Sequence, residues 1–200
     1  MGTRKISAVA VSLVMLALLP ALFQSSARAA EINIFGTAED SWELLAGYGQ
    51  SFPGWGSTSE RVKTVDVIGR YTHLVVADVG SGWYEGFHSL FLELPLSVVV
   101  SPDLSSMVGI NVLAAYTFTA VESWQPYLFG GGGPVYSFAD IPGMGAELNG
   151  NYQLGIGFKR RLDSEHQLLA ELRYHHISNG GSEEPNDPLN SLKVLLGISF

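Results

Sequence analysis

Phe87 to Val100 reads FHSLFLELPLSVVV, and its alternate positions belong to two different chemistries. His88, Leu90, Leu92, Leu94, Leu96, Val98 and Val100 stand at the even positions, while the odd ones include Ser89, Glu93 and Ser97. Successive side chains on a β-strand point to opposite faces, so one face of this segment is almost purely apolar and the other carries polar groups.

The period recurs along the chain. In NYQLGIGFK, Tyr152, Leu154, Ile156 and Phe158 alternate with Asn151, Gln153, Gly155, Gly157 and Lys159; in the last segment Leu192, Val194, Leu196, Ile198 and Phe200 alternate with Ser191, Lys193, Leu195, Gly197 and Ser199. Eight strands are predicted, near 42–51, 61–77, 86–100, 105–118, 124–138, 147–161, 165–178 and 190–200. FPGWGST, DVGSGWYE, SPDLSS, AVES, ADIPGMGA, RLDSE and SNGGSEEPNDP supply the turn chemistry between them. Pro95, with no N–H for the ladder, predicts a bulge. Gly130–Gly133 predicts a place where the wall bends or a neighbour packs too closely for a side chain.

The alternation leaves open which face is inside. A soluble sandwich or a lipocalin-like carrier barrel would hide the apolar face, whereas a membrane barrel turns it outward and closes on itself so that no strand edge meets hydrocarbon. Glu93, Asn151, Gln153, Lys159, Glu171, Arg173 and Lys193 all lie on the other face, which suits a narrow polar interior. The even strand count and a final alternating strand ending on Phe200 point the same way. The expected fold is an all-β, eight-stranded, antiparallel up-and-down transmembrane β-barrel.

The first residues differ in kind. Arg4 and Lys5 precede an apolar run from Ile6 to about Phe23, followed by SSARAA, the pattern of a secretory signal peptide. Residues 1–29 are therefore expected to be cleaved and 30–200 to form the barrel domain. Loss of Arg4, Lys5 and Arg28 leaves 8 basic against 19 acidic residues, an acidic protein for which no nucleic-acid partner is expected. The absence of cysteine excludes a disulfide framework and thiolate metal sites. Past the signal peptide no run of about 18 apolar residues offers a helical span.

One segment breaks its own rule. In HQLLAELRYHHISN, Leu168, Ala170, Leu172, Tyr174, His176 and Ser178 share the apolar face, so a histidine and a serine stand where lipid is expected. Same-face neighbours lie about 7 Å apart at Cα, within reach of an imidazole and a hydroxyl. A serine becomes a nucleophile when such a base takes its proton and a third group orients the base. Asn190 has the outward parity of Leu192, Val194 and Leu196 on the following strand, and its amide oxygen can accept the imidazole Nδ1 hydrogen. Glu183, Glu184 and Asp187 in the intervening loop are alternatives. From spacing alone, a polar fringe at the membrane interface is the better account of His176 and Ser178. With both chain ends in the periplasm, the site falls at the outer-leaflet level.

His176-Ile177-Ser178-Asn179, followed by Pro185-Asn186 and a last alternating strand, resembles the PagL family of lipid A 3-O-deacylases. GFHSLFLELPLSVV, QPYLFGGGGPVYSF, NYQLGIGFKRRL and LLAELRYHHISNGG extend that resemblance over most of the chain. It implies a bacterial outer-membrane enzyme that hydrolyses the ester holding the acyl chain at position 3 of lipid A. It also implies Ser178 as nucleophile, His176 as general base and then acid, and Asn179 as an oxyanion donor. The family pattern has a glutamate twelve residues after the serine; here that position is Asn190, a departure that weakens the expected activity or hands the role to Glu183 or Glu184. If Asn190 only orients His176, a glutamate there is expected to maintain or raise activity. Lipopolysaccharide and outer-membrane lipids are the expected partners, a homodimer is left open, and the chemistry calls for no metal or cofactor. Arg61 and Lys63, near the first outer loop, are the candidates for the lipid A phosphates. The alternative is a non-catalytic barrel that binds or stabilises lipopolysaccharide.

Overall fold

The computed structural model describes residues 40–121, 124–163 and 166–200; the expected signal peptide, 1–29, lies outside the described residues. The strands are β1 (Ser41–Ser51), β2 (Lys63–Val79), β3 (Gly86–Ser101), β4 (Ser105–Gly109), β5 (Asn111–Phe118), β6 (Gln125–Ser137), β7 (Leu148–Arg161), β8 (Gln167–Ser178) and β9 (Leu189–Ser199). Every pairing is antiparallel, and β1 pairs with both β2 and β9, so the sheet closes. β4 and β5 occupy one place in the wall between β3 and β6, which makes the ring eight strands around.

The predicted single strand over 105–118 is thus interrupted at Ile110. Leu96↔Val108 and Glu93↔Asn111 keep one register across the break. There the flanking strands carry Pro95 and Pro134, and neither has an N–H to give. Ile110 donates its own N–H to the Pro134 carbonyl at 3.1 Å. The expected bulge at Pro95 is absent from the β2–β3 register, whose shifts lie at Lys63/Thr64 and between Leu74 and Val79. Proline here interrupts the neighbouring strand and leaves its own continuous.

The alternation resolves as polar inside, apolar outside. Leu94 is 64% and Leu196 62% exposed, while Arg70 and Arg173 are wholly buried. This inversion of the soluble pattern is what hydrocarbon demands of a barrel wall. Trp42, Trp83, Tyr84, Trp124 and Phe200 stand exposed near one end and Trp55, Phe138 and Tyr152 near the other, as aromatic girdles do.

The interior is filled. Arg70 bonds Glu43 at 2.7 Å, Glu93 at 2.8 Å and Glu171 at 2.6 Å; Arg173 bonds Glu93 at 2.9 Å and Glu171 at 2.5 Å; Lys159 bonds Glu43 at 3.0 Å. Three cations therefore face three carboxylates, and the arginines also lie over the rings of Phe91 and Phe129. A cavity of about 20 Å³ beside Asn111, Gln153, His175 and Lys193 has room for about one water. Val62, Val99, Met107, Val135, Ile141, Ile177 and Leu189 close the barrel toward the end reached by 52–62, 138–147 and 179–188.

The glycines of β6 permit close approach. A Cβ on Gly132 would lie 2.0 Å from the Asn151 carbonyl oxygen, and one on Gly133 would lie 2.0 Å from that of Ile110.

Candidate active site

His176 and Ser178 lie on the outward face of β8, with His175 buried on the inward one. In the β8–β9 register Asn190 is directly opposite His176. The side chains form one continuous row: His176 Nε2 lies 3.1 Å from Ser178 Oγ, and His176 Nδ1 lies 2.8 Å from Asn190 Oδ1. An amide oxygen only accepts, so the Nδ1 facing it carries the proton. The neutral ring then presents an unprotonated Nε2 to the serine hydroxyl, the tautomer a general base requires.

The ring is held from a second side. Tyr152, opposite His176 in the β7–β8 register, stacks on the imidazole with centroids 4.4 Å apart and planes 19° from parallel. Tyr174 donates its hydroxyl to Asn190 Oδ1 at 2.5 Å and packs edge-on against Trp55 at 5.3 Å. His176 and Ser178 are half-buried, and Asn190 is 5% exposed although it belongs to the lipid-facing parity. Its cover is the connection between β1 and β2. Asn190 Nδ2 donates to the Trp55 carbonyl at 2.9 Å and to Thr58 Oγ1 at 2.8 Å, and its main-chain N–H reaches Thr58 Oγ1 at 2.9 Å.

The remaining candidates sit apart from this row. Asn179 uses its Nδ2 on the Glu183 carbonyl at 2.8 Å, its Oδ1 on the Gly181 N–H, and its main-chain N–H on Asn186 Oδ1 at 3.0 Å. Glu183 and Glu184 are exposed in the β8–β9 connection, while both nitrogens of His176 are already engaged by Asn190 and Ser178. Asp187 joins that connection to the β6–β7 one through its N–H to the Gly143 carbonyl at 2.7 Å. Arg61 is exposed in the first connection, and Lys63 opens β2 opposite Gln50. Among the described residues no group of three or more His, Asp or Glu side chains converges as a metal cage would.

Sequence reasoning missed Trp55, Thr58, Tyr152 and Tyr174. Tyr152 was findable, because the short connection after β7 sets the register that brings it opposite His176. Tyr174 shows its outward parity but not its bond to Asn190. Trp55 and Thr58 belong to a turn-rich stretch with no period, and nothing in its spelling points to Asn190.

Residues 54–199 match a family model described as lipid A 3-O-deacylase (PagL). No curated protein matches the chain. Among solved structures it is similar to Neisserial surface protein A, with TM-score 0.59 and 14% identity over 82% of this chain and 98% of that one. It is also similar to the outer membrane enzyme PagL, with TM-score 0.49 and 17% identity over 79% of this chain and 97% of that one. A third likeness is to the outer membrane protein OprG from Pseudomonas aeruginosa, with TM-score 0.44 and 12% identity over 80% and 95%.

Proposed function

We infer that this chain, which belongs to the PagL family of lipid A 3-O-deacylases and resides in the bacterial outer membrane, cleaves the 3-position acyl ester of lipid A by a serine–histidine mechanism. The observation that carries the reading is the unbroken Ser178–His176–Asn190 row on the lipid-facing wall. A soluble substrate has no reason to approach there; the glycolipid of the outer leaflet is already in contact with that surface. The site lies at the end that carries the longer connections, the end that faces the cell exterior in barrels of this kind.

In the proposed reaction His176 Nε2 takes the proton of Ser178, and Oγ attacks the ester carbonyl. The tetrahedral oxyanion collapses as the imidazolium returns the proton to the departing sugar oxygen. An acyl-Ser178 remains, and water activated by the same histidine releases a 3-hydroxy fatty acid. Asn190 keeps the tautomer but contributes no charge to the imidazolium, so the amide performs the orienting half of a carboxylate's work. Asn179, adjacent to the nucleophile, serves the oxyanion by exchanging one of its present loop bonds for the developing charge. Arg61 and Lys63 are the basic side chains available to lipid A phosphates, on an end that also carries Glu60, Asp103, Asp140, Glu147, Glu183, Glu184 and Asp187.

Release of free 3-hydroxy fatty acid from lipopolysaccharide, followed by chromatography, tests the reading. The wild-type barrel is expected to release it and Ser178→Ala to release none while keeping the heat-modifiable mobility of a folded barrel. No release from the wild type would return the protein to a non-catalytic, lipopolysaccharide-binding role.

A further inference from the structure

The β1–β2 connection decides how Asn190 faces His176. The two ends of an asparagine amide are alike in shape and opposite in chemistry, so a free side chain could offer His176 either oxygen or nitrogen. Here the choice is made by acceptors. The Trp55 carbonyl, 2.9 Å from the distal atom of Asn190, can only accept, and that atom must therefore be the NH₂ group. Its second hydrogen is taken by Thr58 Oγ1 at 2.8 Å, and the same hydroxyl oxygen accepts the Asn190 main-chain N–H at 2.9 Å. Thr58 is 3% exposed, so water does not replace these bonds. The Phe52 N–H donates to the Asn190 carbonyl at 3.1 Å and ties the backbone from the other side. With Nδ2 so engaged, Oδ1 alone remains for His176 Nδ1 and the Tyr174 hydroxyl.

We propose that Thr58 and the Trp55 carbonyl are positioning groups which, by fixing the Asn190 amide, set the His176 tautomer that activates Ser178. The loop is shaped for the task. Gly56 holds φ at +61°, a conformation favourable to glycine, and a Cβ there would stand 3.2 Å from Asn190 Nδ2. Gly54 N–H to the Thr58 carbonyl at 2.9 Å and Trp55 N–H to the Phe52 carbonyl at 3.0 Å close the turn that carries both acceptors. A row of four groups results: loop acceptors, amide, imidazole, serine. Reversal of the amide would present N–H to Nδ1, put the imidazole proton on Nε2, and leave Ser178 without a base.

The inference rests on the serine–histidine reading of the site, and its test separates the two. The ¹⁵N shifts of His176 report the tautomer directly, and the labelling rate of Ser178 by a fluorophosphonate reports activation without lipid A. In the wild type Nδ1 is expected to carry the proton; a predominant Nε2–H form would overturn the proposal with no variant needed. Thr58→Val is expected to raise the Nε2–H fraction and slow both labelling and deacylation by about tenfold or more, since the wrong tautomer disables the base. Thr58→Ser, which keeps the hydroxyl, should restore both. In an Asn190→Ala background, where Thr58 still takes the main-chain N–H of residue 190 but has no side-chain amide to fix, Thr58→Val should slow Ser178 labelling far less than in the wild type. Equal losses in the two backgrounds, or a Thr58→Val enzyme as fast as wild type, would refute the positioning role. If lipid A is left intact while Ser178 labelling still follows Thr58, the substrate reading falls and the positioning role stands.

Discussion

At residue 190 an amide divides two duties that a carboxylate combines, orienting the imidazole and balancing its charge. Parity on two strands was enough to place His176, Ser178 and Asn190 on one face, because strand geometry repeats every two residues and the last hairpin joins them. What parity could not supply is the environment of Nδ2, where Trp55 O and Thr58 Oγ1 both accept. The family resemblance favours an acid at this position; these acceptors favour the amide. Asn190→Asp would set a carboxylate oxygen against the Trp55 carbonyl at about the present 2.9 Å, an unmatched pair costing about 1–3 kcal/mol. The account predicts about a tenfold fall in kcat/KM at neutral pH despite the added charge. Activity equal to or above wild type in a deacylation assay would show that charge outweighs orientation. Asn179 marks the other side of legibility: the motif names it, while its three loop bonds are set by Gly181, Glu183 and Asn186, whose conformation the motif does not encode.

Among the elements, the strands were legible almost to their ends, since each carries its own period. The break between β4 and β5 was not, because it arises from Pro95 and Pro134 on two neighbouring strands and leaves no mark in the interrupted segment itself. The β6 glycines were legible as a place of close contact, but not what they contact. Gly132→Ala tests that contact: its Cβ would meet main-chain oxygen at 2.0 Å, which no side-chain motion relieves. A loss of about 2 kcal/mol or more is expected from such overpacking, read as a lower urea midpoint in lipid vesicles. An unchanged midpoint would mean that β6 and β7 separate at little cost.

For the whole molecule, seven polar interior positions were readable from alternation, yet Arg70, the residue that joins three glutamates, was not among them. Its importance comes from strands β1, β3 and β8 converging on it, a fact of closure rather than of local pattern. Arg70→Leu would leave Glu43, Glu93 and Glu171 facing two cations in a dry interior. The expected loss is about 3–5 kcal/mol, measured by unfolding in detergent or by loss of heat-modifiable mobility; a stable Arg70→Leu barrel would contradict the charge balance described above. A plugged interior leaves the outer wall as the surface for the proposed chemistry. That is the central claim, and lipid A from cells producing the protein tests it most directly by mass spectrometry. The account predicts loss of a single 3-hydroxyacyl chain, from position 3, with wild-type protein and an unchanged mass with Ser178→Ala. An unchanged mass with both, or the same loss with both, would contradict it.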